Sequence, residues 1–157
     1  MIAFAWNLTL ALAWVILTGS LTAANLVWGF VVAYFVLRVT HGRNPIFAAY
    51  FAKVPQAVRF TLFFIWDLTK SNMRVAYDVL TPTHYMRPGV IALPLDAHTD
   101  AEITALANLI TVTPGALSLD VSSDRRTLYI HLMYLDDEQR LRAELKDLER
   151  RVLQLMR

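Results

Sequence analysis

MIAFAWNLTLALAWVILTGSLTAANLVWGFVVAYFVL, residues 1–37, contains no Asp, Glu, Lys, Arg or His; the first charge in the chain is Arg38. As one helix it would be roughly 55 Å long at 1.5 Å per residue. The hydrocarbon core of a bilayer is only about 30 Å thick. One span overshoots, whereas two short helices joined by a tight turn fit. Thr18, Gly19, Ser20, Thr22 and Asn25 supply polar and helix-breaking residues near the middle. The segment therefore reads as a transmembrane hairpin with helices at about residues 4–17 and 23–37, in a first region spanning residues 1–43.

The composition agrees. Hydrophobic residues make up 56 % of 157 residues, and mean hydropathy is +0.41, too apolar for an ordinary soluble domain. No basic residue precedes the apolar run, and Thr18–Gly19–Ser20 is a poor cleavage site, so the segment is expected to be retained. Trp6, Trp14, Trp28 and Tyr34 read as membrane-belt and packing residues. Asn7 and Asn25 are expected to hydrogen-bond within the membrane or near its edges. There is no cysteine, hence no disulfide frame and no thiolate metal site.

Charge is unevenly distributed. Residues 38–90 hold seven Lys/Arg against Asp67 and Asp78, a net of +5; residues 91–157 carry a net of −3. Positive residues beside a span stay on the cytoplasmic side. Both termini are therefore expected in the cytoplasm, with the 18–25 turn outside. A pI of 9.1 could suggest nucleic acid. The basic residues are interleaved with Phe, Trp and Leu next to a membrane segment, which argues against nucleic acid as the partner.

Residues 44–86 form an amphipathic region. Asn44–Pro45 is a helix start, with a capping side chain and Pro at the first helical position. Pro55 is expected to kink or restart that helix. At 100° per residue, Gln56, Arg59, Asp67, Lys70, Arg74 and Asp78 share a sector roughly 100° wide. Val58, Leu62, Ile65, Met73, Ala76 and Leu80 lie opposite. Asp67–Lys70 and Arg74–Asp78 have helical ion-pair spacing. The pattern fits a helix lying along the cytoplasmic interface or packed on membrane helices of a partner. A third span over Phe60–Trp66 is the alternative, at the cost of burying Arg59 or Asp67.

Residues 87–157 read as a small cytoplasmic α/β domain. Gly89–Pro94 is a short apolar strand. Thr99-x-x-Glu102 is a capping box that opens a helix carrying Ile103, Leu106 and Ile110. Thr113–Pro114–Gly115 ends it. Leu117, Leu119 and Val121 alternate with polar or small residues, as do Leu128, Ile130 and Leu132, with a polar turn at Ser122–Arg126 between them. This is a hairpin with one buried face. Asp136, followed by Gln139, caps a last helix with apolar positions Leu141, Leu145, Leu148, Val152 and Leu155. The order β-α-β-β-α is that of a ferredoxin-like sandwich lacking its last strand. The expected fold class is thus membrane α plus α/β.

Catalytic signatures are missing. His41, His84, His98 and His131 show no HExxH or i,i+4 pairing, and there is no phosphate loop, GxGxxG or GxSxG. Asp136–Asp137–Glu138 reads as negative charge at a helix N-terminus in preference to a calcium site. No cofactor, metal or catalytic residue is expected. Ion paths through membranes use ionisable side chains, and the hairpin has none. An accessory role in a larger complex fits better than a pump or channel.

The block NLITVTPGALSLDV (residues 108–121), followed by DRRTLYIH (residues 124–131), resembles the E subunit of multisubunit Mrp-type (Mnh/Pha) cation/proton antiporters. Lys70–Ser71–Asn72, Arg87–Pro88–Gly89 and the uncharged hairpin extend the resemblance over essentially the whole chain. It implies a bacterial inner-membrane complex of six or seven different hydrophobic subunits exchanging Na⁺ or K⁺ for H⁺. In that picture the E subunit is a non-catalytic, multi-pass component that supports assembly. Candidate structural and subunit-interface residues are Arg59, Asp67, Lys70, Arg74, Asn108, Thr113, Pro114 and Gly115. Two rivals are a membrane-anchored ligand sensor and a subunit that itself lines the ion path through Asp67 or Asp78.

Overall fold

The computed structural model describes residues 2–42, 44–82 and 86–157, so Arg43 and His84 lie outside the described residues. The chain divides into two compact units, Met1–Val58 and Arg59–Arg157.

The first unit is helical. α1 (Ile2–Thr18) and α2 (Ala23–His41) form an antiparallel pair, and α3 (Pro45–Leu80) begins here. Asn44 accepts a hydrogen bond from the Ile46 N–H at 3.0 Å, as its place before Pro45 predicts. The buried positions of α1 are Ala3, Asn7, Ala11 and Val15, one every four residues; those of α2 are Gly29, Ala33 and Leu37. Small residues on both faces let the backbones approach closely. A Cβ on Gly29 would lie 2.9 Å from the Trp14 ring and 3.0 Å from the Ala11 carbonyl, so only glycine fits.

The turn between α1 and α2 is fastened by one side chain. Asn25 accepts from Trp14 Nε1 at 3.0 Å and donates to Thr18 Oγ1 at 2.6 Å and to the Ser20 carbonyl at 2.7 Å. Gly19 supplies the left-handed backbone, φ 65°. Ile16, Leu17, Leu21, Trp28 and Phe35 are exposed and give the pair a largely apolar exterior. Among the described residues one helix, Ala23–His41, is long and apolar enough to cross a membrane; Ile2–Thr18 is apolar but shorter.

Pro55 does not restart α3, which is continuous from Pro45 to Leu80. Its ring removes one backbone donor, and the boundary between the two units falls one turn beyond it.

The second unit contains the rest of α3, then β1 (Gly89–Pro94), α4 (Asp100–Val112), β2 (Ala116–Val121), β3 (Thr127–Leu132) and α5 (Glu138–Met156). The sheet order is β1-β3-β2, antiparallel at both junctions. Its core joins Ile91, Leu93, Leu128, Ile130 and Leu132 to Leu106 and Ile110 of α4 and Leu148 and Val152 of α5. Phe60, Phe63 and Phe64 of α3 pack against this cluster.

The expected alternation in β2 is out of phase. Leu117 and Leu119 point away from the core and are about half exposed, whereas Ala116 and Ser118 face inward. Ser118 donates to the Ala107 carbonyl at 3.0 Å, and its own N–H reaches Thr111 Oγ1 at 3.2 Å, which ties β2 to α4. A bulge between Ser118 and Asp120 then restores Val121 to the core side, opposite Leu128. The opposite sheet face carries Val90, Leu117, Leu119 and Tyr129 in the open.

Two buried carboxylates hold the loop before α4. Thr99 and Glu102 make the predicted reciprocal capping box, and Arg157 donates to Glu102 at 2.9 Å. Glu149, 1 % exposed, accepts from the backbone N–H groups of Asp96 and Ala97 and pairs with Lys146 at 2.7 Å. The cap of α5 is Asp137 rather than Asp136, accepting from the Arg140 N–H at 3.0 Å.

Glu149→Ala leaves two backbone donors and Lys146 without their acceptor. It should lower stability by about 3 kcal/mol in thermal melts of the detergent-solubilised chain. The donors around Glu102 depress its pKa from an ordinary 4.5 to about 2, the Arg157 guanidinium first and the His98 and Thr99 N–H groups next. The resulting stabilisation is complete above pH 4.5 and fades as pH falls toward 2. Melts between these limits should show a shallower acid decline for Glu102→Gln.

Candidate functional site

From Arg59 onward α3 has three faces, not the two expected from its charge pattern. Phe60, Phe63, Phe64, Asp67 and Asp78 turn toward the α/β core, with Asp78 4 % exposed. Arg59, Lys70 and Arg74 form an exposed basic flank. Leu62, Ile65, Trp66, Met73, Tyr77 and Leu80 form an outward apolar stripe, each more than half exposed.

Of the two ion pairs expected within α3, Arg74 turns from Asp78 to a long-range partner, while the Lys70 charge still acts on Asp67. Arg74 reaches across to Asp136 at 2.6 Å, with its guanidinium 4.2 Å from the centre of the Tyr134 ring. The Tyr134 hydroxyl donates to Asp78 at 3.2 Å. Burial, together with the Asp78 carboxylate that accepts its proton, pushes the Tyr134 hydroxyl pKa up. Arg87 joins the same corner, its N–H on the Met133 carbonyl and its carbonyl accepting from Leu135, at 3.0 and 2.8 Å.

Beside this lock lies a cleft of about 640 Å³ between α3, α5 and the turn after α4. Asp67, Lys70, Arg74, Thr113, Pro114 and Gly115 all line it. Arg59 and Asn108 do not; Asn108 is exposed on α4. Gly115 takes the left-handed conformation at φ 86°, and its carbonyl accepts from the Met133 N–H at 2.8 Å. The Thr113–Gly115 turn is therefore stitched to the end of β3. Burial raises the Asp67 pKa most; Lys70 opposes that shift and Glu144 of α5 adds to it.

Tyr134, Asp136 and Glu144 are not legible as site residues in the sequence. They touch or influence α3 only through the tertiary fold, and Asp136 carries the signal of a helix cap. Among the described residues no group of three or more His, Asp or Glu is placed to hold a metal ion.

A family profile described as "Na+/H+ ion antiporter subunit" matches residues 7–155. The chain is 33 % identical over 150 residues to the Na(+)/H(+) antiporter E subunit of Alkalihalophilus pseudofirmus, covering 95 % of this chain and 94 % of that protein. It is 33 % identical over 144 residues to the corresponding Na(+)/H(+) antiporter protein of Bacillus subtilis, covering 90 % and 89 %. Among solved structures, a chain of the Mrp complex from Dietzia sp. DQ12-45-1b is similar at TM-score 0.51 and 32 % identity, over 64 % of this chain and 96 % of that one. A chain of the membrane-bound sulfane sulfur reductase, an archaeal respiratory membrane complex, is similar at TM-score 0.50 and 27 % identity, over 86 % and 84 %.

The lock gives an ordering of mutational costs. The Arg74–Asp136 pair is half exposed on both sides, so with the ring contact Arg74→Ala should cost about 1 kcal/mol. Tyr134→Phe takes a hydrogen bond from a buried carboxylate and should cost more, about 2 kcal/mol. Hydrogen exchange should show amides of residues 59–80 exchanging faster in both, and faster in Tyr134→Phe.

Proposed function

The chain belongs to the family of Na⁺/H⁺ antiporter E subunits, and from that premise we propose that it is a non-catalytic accessory subunit of a multisubunit cation/proton antiporter. It is a membrane protein that works with other subunits in secondary ion transport. The observation that carries this reading is similarity along nearly the whole chain, joined to a hairpin sequence with no Asp, Glu, Lys, Arg or His before Arg38. Without such groups the hairpin offers no relay for protons.

Both hairpin helices cross the bacterial inner membrane, and both termini are cytoplasmic. Arg38, Lys53 and Arg59 follow the apolar segments closely, in support of that orientation. Residues 1–43 pack laterally in the complex, residues 44–86 run along its cytoplasmic edge, and residues 87–157 form the cytoplasmic module. That module is a ferredoxin-like sandwich short of one strand. Its β1-β3-β2 order supports this, because the missing strand belongs beside β1. Arg142 donates instead to the Ala92 carbonyl of β1, which blunts the open edge.

The mechanism is mechanical. The Arg74–Asp136–Tyr134–Asp78 lock fixes α3 to the module. The cleft residues Asp67, Thr113, Pro114 and Gly115, with Asn108, present the surface that braces neighbouring subunits, and Arg59 and Lys70 on the basic flank meet lipid phosphates or acidic loops. The cleft's volume, within the range of small-molecule sites, favours one second reading, a ligand-sensing module; saturable binding of a small ligand to the full chain would support it.

The test is affinity purification of the tagged full chain in mild detergent. Large multi-span antiporter subunits should accompany the wild type, and the double variant Lys70→Glu/Arg74→Glu should lose most of them. A lone chain would overturn the proposal. In everted vesicles carrying the complex, Asp67→Asn should leave exchange intact. Lost exchange with assembly preserved would assign ion transport to this chain.

A further inference from the structure

The outward stripe of α3 runs from Leu62 to Leu80, about 27 Å along the helix axis. Leu62, Ile65, Trp66, Met73, Tyr77 and Leu80 fall within a sector roughly 120° wide. All six are exposed, and Trp66 is 68 % so. Exposed Thr69 is the polar residue within that sector, and its hydroxyl turns back to the Ile65 carbonyl at 2.7 Å. A soluble surface rarely leaves such an apolar stripe uncovered.

A membrane-spanning role for this segment conflicts with its other face. Phe60, Phe63 and Phe64 pack on the α/β core, Arg74 pairs with Asp136, and Asp78 is buried against Tyr134. A span through hydrocarbon would carry the charged module with it.

The charges select what covers the stripe. Both acids of the segment, Asp67 and Asp78, turn toward the module. Arg59 and Lys70 sit along one border of the stripe, next to Trp66 and Tyr77 on the helical wheel. An apolar face with aromatic residues at its margin and cations beyond them suits the headgroup–acyl boundary of an anionic bilayer. Helix–helix contacts inside membranes favour small residues that let backbones approach; here the stripe is built from Leu, Ile, Trp, Met and Tyr.

We infer that the outward face of α3 between Arg59 and Leu80 is a lipid-binding surface that lies in the plane of an anionic membrane leaflet, its apolar stripe at the acyl boundary and Arg59 and Lys70 on lipid phosphates. This deepens the accessory-subunit reading and rests on its cytoplasmic placement of the module.

The absence of cysteine makes single labels simple to place. Spin labels at Leu62→Cys and Met73→Cys, with Asn108→Cys on α4 as the aqueous reference, are compared in nanodiscs holding the full chain. In phosphatidylglycerol discs, labels at 62 and 73 should show a several-fold higher ratio of oxygen to water-soluble nickel-chelate collisions than the label at 108. Pure phosphatidylcholine, or Arg59→Gln/Lys70→Gln in phosphatidylglycerol, should reduce that ratio. Three results would each overturn the inference: chelate access at 62 and 73 equal to that at 108, shielding from both relaxers as a protein partner would give, or a ratio indifferent to lipid charge. Circular dichroism of each labelled chain confirms that α3 is retained. Co-purification separates the two proposals. Water-exposed labels in a chain that still brings down antiporter subunits defeat the lipid surface alone; lipid-immersed labels in a chain that brings down none defeat the assembly reading alone.

Discussion

The cost of taking charge out of water organises this molecule. Every ionisable Asp, Glu, Lys, Arg and His is kept out of the first 37 residues, so α1 and α2 can present an apolar exterior. Polar groups that remain there are turned inward or tied to the backbone. Asn25 takes up the indole of Trp14, the Thr18 hydroxyl and the Ser20 carbonyl at once, and Thr9 returns its proton to the Ala5 carbonyl. Asn7 donates to the Tyr50 hydroxyl, which draws the beginning of α3 onto α1. Phe47 and Phe51 complete that contact against Ala3 and Leu37.

The same cost explains why α3 changes character along its length. Its first turns offer Phe47, Tyr50 and Phe51 to the hairpin. Past Pro55 it carries acids, and these are tolerable only where partners await them. Asp78 finds the Tyr134 hydroxyl. Asp67, half buried and close in charge to Glu144, is less well compensated, and its pKa rises accordingly. The cations have longer stems and remain at the surface, as amphipathic side chains do. A helix with acids inward, cations at the border and hydrocarbon outward follows from these separate preferences.

Much of this is legible in the sequence because it is local. The capping box at Thr99 and Glu102, the start at Asn44–Pro45 and the stop at Thr113–Gly115 depend on residues within a turn of each other, and they stand where the sequence puts them. The succession of elements in the second unit, β-α-β-β-α after α3, is likewise the expected one. The phase of β2 is illegible, because a bulge inserts a residue whose effect on alternation no periodic count registers. The pairing of Arg74 is illegible for a different reason. Asp78 is four residues away and Asp136 is sixty-two, yet burial gives Asp78 to Tyr134 and frees Arg74 for the distant acid. The charge pattern of α3 shows two faces where there are three, because Phe60, Phe63 and Phe64 lie in or beside the sector of Asp67 and Asp78 and the α/β core claims them.

The polar interior of the first unit bears on what the chain contributes to transport. Asn7 and Tyr50 are neutral near pH 7, and an amide cannot accept and release protons in that range. The Asn7 carbonyl oxygen is fully buried with no hydrogen-bond partner among the described residues, a cost of about 1–3 kcal/mol. Such a cost is usually met where a polar group fixes register, since sliding α1 along α2 would carry Asn7 away from Tyr50 and into contact with apolar side chains. Gly29, seated against Trp14 and the Ala11 carbonyl, enforces the same register by shape. Both devices secure position and neither moves charge, as the accessory role proposed above requires.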